Sequence, residues 1–154
     1  MAASEKIEFE GSLGETLAAR LERPAGPALG HALFAHCFSC SKDVHAAQRL
    51  SRRLTEHGFA VLRFDFTGLG ASEGDFANTN FTSNVQDLIK AAEWLEREHG
   101  APGLLVGHSL GGAAVIAAAP QIRSVKAVAT LGAPADADHV RKHFIDRIDE
   151  IESA

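Results

Sequence analysis

No stretch of this sequence is apolar for long enough to cross a bilayer, and the opening Met1-Ala2-Ala3-Ser4-Glu5-Lys6 does not read as a signal peptide, so none is expected. Cysteine is scarce: Cys37 and Cys40 are the only two, too few for a disulfide framework. Basic residues are in the minority. Fifteen Lys and Arg against twenty Asp and Glu leave a net charge of −5, which argues against nucleic acid or an anionic membrane surface as the main partner. Internal repeats, low-complexity tracts and inter-domain linkers are also missing. The expectation is a soluble, cytoplasmic protein folded as one domain over residues 1–154. With 154 residues, 45% of them apolar, there is chain enough for a real core.

What is present alternates between two periodicities. Lys6-Ile7-Glu8-Phe9-Glu10 and Thr16–Leu21, joined by a turn at Gly11-Ser12-Leu13-Gly14, read as an antiparallel hairpin. Ala32-Leu33-Phe34-Ala35 is a short continuous apolar run, as for a central strand covered on both faces. Asp43 can N-cap a helix carrying Val44, Ala47, Leu50 and Leu54 and stopped at Gly58. A strand over 59–64 and a turn at Gly68-Leu69-Gly70 follow. Ser83 and Gln86 have capping-box spacing ahead of a stripe of Val85, Leu88, Ile89, Ala92 and Leu95, in a helix ending near Gly100. Strands over 103–106 and 125–131 flank a small-residue helix over 112–119, and a tail from Asp138 carries Val140, Phe144, Ile148 and Ile151 at helical spacing. A hairpin followed by β-α-β-α-β-α-β-α predicts an α/β fold with a mostly parallel sheet and helices on both faces.

The chemistry concentrates at Gly107-His108-Ser109-Leu110-Gly111, a G-x-S-x-G sequence between an apolar strand and a helix. A serine on so sharp a turn occupies strained dihedrals, and residues two places either side must be tiny to clear the adjoining backbone. Ser109 is the candidate nucleophile. The N–H of Leu110 and one from the loop after the Ala32–Ala35 strand are the expected oxyanion donors, at a helix N-terminus whose partial positive charge favours that oxygen.

Phe34–Asp43, Arg63–Gly70, Gly107–Gly112 and Leu131–Asp136 together resemble α/β-hydrolases, and more narrowly the hydrolase half of the bacterial α/β-hydrolase/OsmC fusion family. The resemblance covers nearly the whole chain. It implies a shortened core of about six strands, lacking the last two strands and the cap, and it makes Phe38 the second oxyanion donor. Cys37 stands where glycine is common. Some α/β-hydrolases carry the triad acid after the sixth strand, which makes Asp136 the acid implied here.

The candidates for the base that Ser109 needs are His31, His36, His45, His57, His108, His139 and His143. His45 and His57 read as solvated helix surface, His108 as packing, and His36 as a support of the oxyanion loop. His139 and His143 follow the last strand, at the sheet end that bears Ser109 and beside Asp136 and Asp138. His139 is the base expected, although a capped helix with a solvated charged face fits the same residues. Asp65 opens the glycine turn and is expected to accept local backbone N–H groups. Phe38, Phe66, Phe76 and Phe81 are candidates for the pocket mouth.

The leading expectation is a serine esterase acting on small activated esters through an acyl-enzyme, with no cofactor and no metal. Two other readings stand beside it: a thiol-redox module on Cys37 and Cys40, or a hydrolase fold that binds without turnover. Residues 125–131 form an edge apolar on both faces, so a homodimer through that strand or the C-terminal helix is expected.

Overall fold

Six strands form one sheet in the order β1-β2-β4-β3-β5-β6, where β1 is Ala3–Glu10, β2 Thr16–Arg23, β3 Gly30–Ala35, β4 Phe59–Phe64, β5 Leu104–His108 and β6 Ala127–Leu131. The computed structural model describes residues 2–37 and 41–135. β1 and β2 are the antiparallel hairpin, β2 joins β4 antiparallel, and β4, β3, β5 and β6 run parallel. Three α-helices, α1 (His45–Glu56), α2 (Phe81–Glu98) and α3 (Leu110–Ala118), and two short 3-10 helices, Phe76–Asn78 and Ala119–Gln121, complete the described elements. The helix of the tail, expected from Asp138 to Ile151, lies outside the described residues. No described helix is long and apolar enough to cross a membrane.

The two-residue period of β3 explains why its run is apolar throughout. Leu33 and Ala35 enter a large cluster with Leu62, Phe64, Leu88, Leu95 and Val115, beneath α2 and α3. Ala32 and Phe34 enter a smaller cluster with Val61 and Ala47 on the α1 side. Helices therefore cover both faces, as a parallel sheet requires. Arg63 alternates with Leu62 and Phe64, which puts its guanidinium on the α1 face. There it is the register partner of Arg20, an unfavourable like-charge pair that Glu22 and Asp43 offset.

Two helix starts differ from expectation. Asp43 does not cap α1; the N-cap is Val44, with no side-chain cap bond. The Asp43 carboxylate is drawn instead to Lys42 Nζ at 2.9 Å, with Arg20 and Arg63 both at 3.9 Å. The capping box of α2 begins three residues earlier than the Ser83–Gln86 spacing suggests. Asn80 accepts from Ser83 N and Ser83 Oγ accepts from Asn80 N, each at 2.9 Å, so Ser83 is the responding member of the box rather than its cap.

β6 ends the sheet order and every one of its residues is exposed, Val128 at 39% and Leu131 at 49%. Burial, not hydrophobicity as such, should then decide which side chains hold the fold. Phe64→Ala is expected to cost about 3–5 kcal/mol and Val128→Ala to stay within about 0.5 kcal/mol, read from urea denaturation midpoints.

Candidate active site

Parallel strands deliver their following residues to one end of the sheet. Ala35 is in register with Phe64 on one side and Gly107 on the other, and His108 with Leu131. His36, Asp65 and Ser109 therefore leave the sheet together. Between β3 and β5 the connections pass to opposite faces, α1 on one and α2 with α3 on the other, and a crevice at such a switch point is where α/β sheets bind ligands.

Ser109 leaves the sheet at that switch point with φ 55°, ψ −121°, and no other non-glycine among the described residues has positive φ. Its backbone is pinned on both sides. Ser109 N donates to Leu131 O at 2.8 Å, and Ser109 O accepts from Gly112 N at 2.8 Å and Ala113 N at 3.3 Å. A Cβ on Gly107 would overlap the backbone of Gly111 and Gly112, and one on Gly111 would overlap the carbonyl oxygens of Ala35 and His36. The motif's glycines are there because three backbone segments touch. Leu110 opens α3, where the first N–H groups have no partner within the helix.

His36 is fully buried, edge-on to Phe66 with ring centroids 5.3 Å apart. Its Nδ1 is hydrogen-bonded to Cys37 O, and its Nε2 lies 3.4 Å from Asp65 Oδ1, a loose contact. Buried and bonded through Nδ1 to Cys37 O, His36 supports the loop that leaves β3, and its Nε2 has no hydrogen-bond partner. Asp65 is fully buried and also accepts Lys42 N at 2.6 Å, Lys42 Nζ at 3.1 Å and Ala71 N at 3.0 Å. Burial alone would raise its pKa; the neighbouring His36 ring, with hydrogen bonds from Ala71 N, Lys42 N and Lys42 Nζ, outweighs that and lowers it to about 2. Burial pulls the Lys42 ammonium down, but Asp43 and Asp65 more than compensate and hold its pKa above the ordinary value. The guanidinium of Arg63, 2% exposed, donates to Lys42 O and to Glu22 Oε1, the latter at 2.8 Å.

The other histidines are dispersed. His31 begins β3, at the opposite sheet end from Ser109, and its pKa is lowered by burial and then by the charge of His99. His45 and His57 are exposed at the two ends of α1, and His99, which the sequence reading passed over, packs against Trp94 beyond α2. No side chain among the described residues is hydrogen-bonded to Ser109 Oγ. Phe38, Asp136 and His139, with Asp138 and His143, lie outside the described residues. Of the phenylalanines proposed for a pocket mouth, Phe66 is fully buried against Phe64 and His36, while Phe76 and Phe81 pack half-buried on the main core. Phe66 thus belongs to the core. Cys37 is buried. Among the described residues, no three His, Cys, Asp or Glu side chains gather as metal ligands do.

Sequence reading missed Lys42 and Arg63 as partners of this network, and it missed Asp87. That carboxylate is fully buried on α2 and accepts from Ser12 N (2.9 Å), Ser12 Oγ (2.6 Å), Thr67 N (2.9 Å) and Thr67 Oγ1 (2.8 Å). A signal existed: position 87 lies four residues before Ala91 and three after Asn84, on the buried side of α2.

A parallel sheet in this order, with a strained serine between two indispensable glycines at its switch point, defines an α/β-hydrolase. The chain matches the family model described as serine aminopeptidase, S33, over residues 34–148, and it belongs to that family. It is 51% identical to the esterase domain of a Rhodothermus marinus protein, with a TM-score of 0.75 over 90% of this chain and 54% of that one. It shares the fold of XC6422 from Xanthomonas campestris, described as an α/β serine hydrolase without lid, at 24% identity and a TM-score of 0.76 over 87% and 63% of the two chains. An Escherichia coli relative, an uncharacterized 31.7 kDa protein of the traX-finO intergenic region, is 34% identical over 87 residues, 54% of this chain and 30% of that protein. The chain therefore spans about half the length of the Rhodothermus structure and under a third of the Escherichia coli relative.

The acid limb of stability follows from Asp65. A carboxylate lowered from 3.8 to about 2 on folding contributes stability that is full above about pH 4 and lost as pH falls through 2. The urea midpoint of the wild type is expected to drop between pH 4 and 2, and Asp65→Asn to flatten that part of the curve.

Proposed function

We propose that this protein is a serine hydrolase of the carboxylesterase kind, cleaving small activated esters through an acyl-enzyme on Ser109. The observation that carries the reading is the Ser109 backbone, held at positive φ where a serine gains nothing for the fold and pays strain. The 51% likeness to an esterase domain supports it. Ser109 Oγ attacks the ester carbonyl, and the oxyanion is received by the N–H of Leu110 and that of Phe38. Each such donor is worth about 3–4 kcal/mol in a water-excluded site. His139 is the base that takes the Ser109 proton and returns it to the leaving alcohol, with Asp136 as its acid; water then hydrolyses the acyl-enzyme. The narrower likeness to the hydrolase half of the OsmC fusion family belongs to the same reading.

A thiol-redox role for Cys37 and Cys40 is less favoured, since the family match and the esterase-domain likeness both support a hydrolase. A fluorophosphonate probe separates the hydrolase from a non-catalytic binding fold. Wild type is expected to label and Ser109→Ala not to, with kcat/KM for p-nitrophenyl acetate falling on the order of 10³-fold or more in the variant. A folded wild type that does not label would overturn the reading.

We further propose a two-fold homodimer through β6 or the C-terminal segment. A last strand exposed along its whole length, with Val128 and Leu131 facing outward, supports it. Light scattering coupled to size exclusion is expected to give twice the 16.3 kDa chain mass, and a clean monomer at micromolar concentration would rule it out.

A further inference from the structure

We propose that the cavity between α1 and strands β1, β2 and β4 binds the carboxylate of a small organic acid, with Arg52 as its principal partner. The site is separate from Ser109 and does not depend on how that serine is read.

The cavity has a volume of about 420 Å³, and its walls include Arg20, Arg52, Arg63, Glu22 and Asp43. The fold gathers these charges for simple reasons. Arg20 and Arg63 are register partners on neighbouring strands, Glu22 lies two residues from Arg20 on the same face, and α1 brings Arg52 in from above. Two of the three guanidiniums are answered from within the protein. Arg63, 2% exposed, donates through Nη2 to Glu22 Oε1 at 2.8 Å; Arg20 donates to Ser4 Oγ at 3.0 Å and has Asp43 at 3.9 Å. Arg52 is the third, and among the described residues no hydrogen bond or ion pair reaches its guanidinium.

The nearby acids are already committed. Glu22 Oε1 also accepts from Ser4 Oγ at 3.1 Å, and Asp43 is drawn to Lys42 Nζ at 2.9 Å. The second partner of Lys42 is Asp65, so that pair adds no net charge. Three guanidiniums thus face two carboxylates, and one further negative charge closes the balance. A monocarboxylate supplies it, where a phosphate dianion overshoots. The region is short of acceptors as well as of charge: Arg63 Nε is buried with no hydrogen-bond partner. A carboxylate brings acceptors only, and a guanidinium receives it on two parallel N–H groups.

The volume is in the range of small-molecule sites and exceeds what a carboxylate alone needs, so the body of the acid fits too. Gln48 and Thr55 also line the cavity, and each spends a donor inside the protein: Gln48 Nε2 on Asp43 O and Thr55 Oγ1 on Arg52 O, both at 2.7 Å. Their oxygens keep lone pairs, which suits an acid carrying a hydroxyl. Strand β3 separates β4 from β5, which leads to Ser109, so the cavity lies about 10 Å or more to the side of that strand.

The test is a titration of ¹⁵N-labelled protein with sodium lactate in 0.15 M sodium chloride, which screens unspecific attraction, followed by NMR. Inorganic phosphate is titrated separately. In the wild type, lactate is expected to shift the amides of Arg20, Gln48 and Arg52 saturably, with a Kd of about 1–10 mM. Arg52→Gln, at an exposed position without a partner, is expected to keep the wild-type urea midpoint and to bind at least about 10-fold more weakly. Ser109→Ala is expected to bind like the wild type. Arg52→Lys keeps the charge without the fork and is expected to bind about 3-fold more weakly or worse. Lactate that does not saturate by 100 mM overturns the proposal, as does equal affinity in wild type and Arg52→Gln. Loss of binding in Ser109→Ala places the acid elsewhere and overturns it too, as does phosphate binding as tightly as lactate. If Arg52→Gln does not fold, wild-type affinity in Arg52→Lys overturns it.

Discussion

Everything at the functional end of this molecule depends on how closely α3 approaches β3. Gly111 lies against the carbonyl oxygens of Ala35 and His36 with no room for a methyl group, and Gly107 lies as closely against Gly111 and Gly112. This packing is of backbone on backbone, and it drives the chain through its turn at Ser109 with the dihedrals that only glycine tolerates without cost. The strain is bearable because the turn is overdetermined. Leu131 O holds the serine N–H from β6, and Gly112 and Ala113 hold its carbonyl from α3. The exposed strand β6, which contributes little to the core, thus contributes directly to the pose of Ser109.

That constraint was legible in the sequence because it is local. G-x-S-x-G states the turn, the serine and the tight approach within five residues, and the apolar run of β3 states a strand buried on both faces. The helix starts were less legible. Asp43 and Ser83 are good capping residues in any scale, yet Asp43 is claimed by Lys42, Arg20 and Arg63, and Ser83 answers Asn80. Tertiary charge and a competing cap won over local propensity. The buried charges were least legible. Nothing near Arg63 in sequence announces that it will reach Lys42 O and Glu22, twenty-one and forty-one residues away. Asp87 was visible only as a polar residue on an apolar helix face, which periodicity alone reads as noise.

The acid and base expected at Asp136 and His139 were never local inferences of this kind. They followed from where a chain must be after its sixth strand, and from a family likeness, not from a spacing that forces contact. The histidines that the structure does describe narrow the field by position. His31 starts β3 and so lies a strand length from the site, roughly 16–20 Å on ordinary strand rise. His36 is at the correct end, buried and bonded through Nδ1 to Cys37 O. His108, beside Ser109, is half-buried, and His139 and His143 lie outside the described residues.

The two buried carboxylates show why such groups are kept in a core that apolar residues would stabilise more simply. Burying charge is costly, and well-packed hydrophobic residues often outperform a buried ion pair. What apolar packing does not supply is direction. Asp87 needs four donors at set positions and so fixes the Ser12 turn relative to the Thr67 loop; Asp65 does the same for the β3 and β4 exits. A loop held by van der Waals contact can shift by an ångström with little loss, whereas a loop held on a buried carboxylate loses a charge-assisted bond when it moves. Where a reaction requires two N–H groups to converge on one oxygen, resistance to that ångström matters more than the stability given up to obtain it.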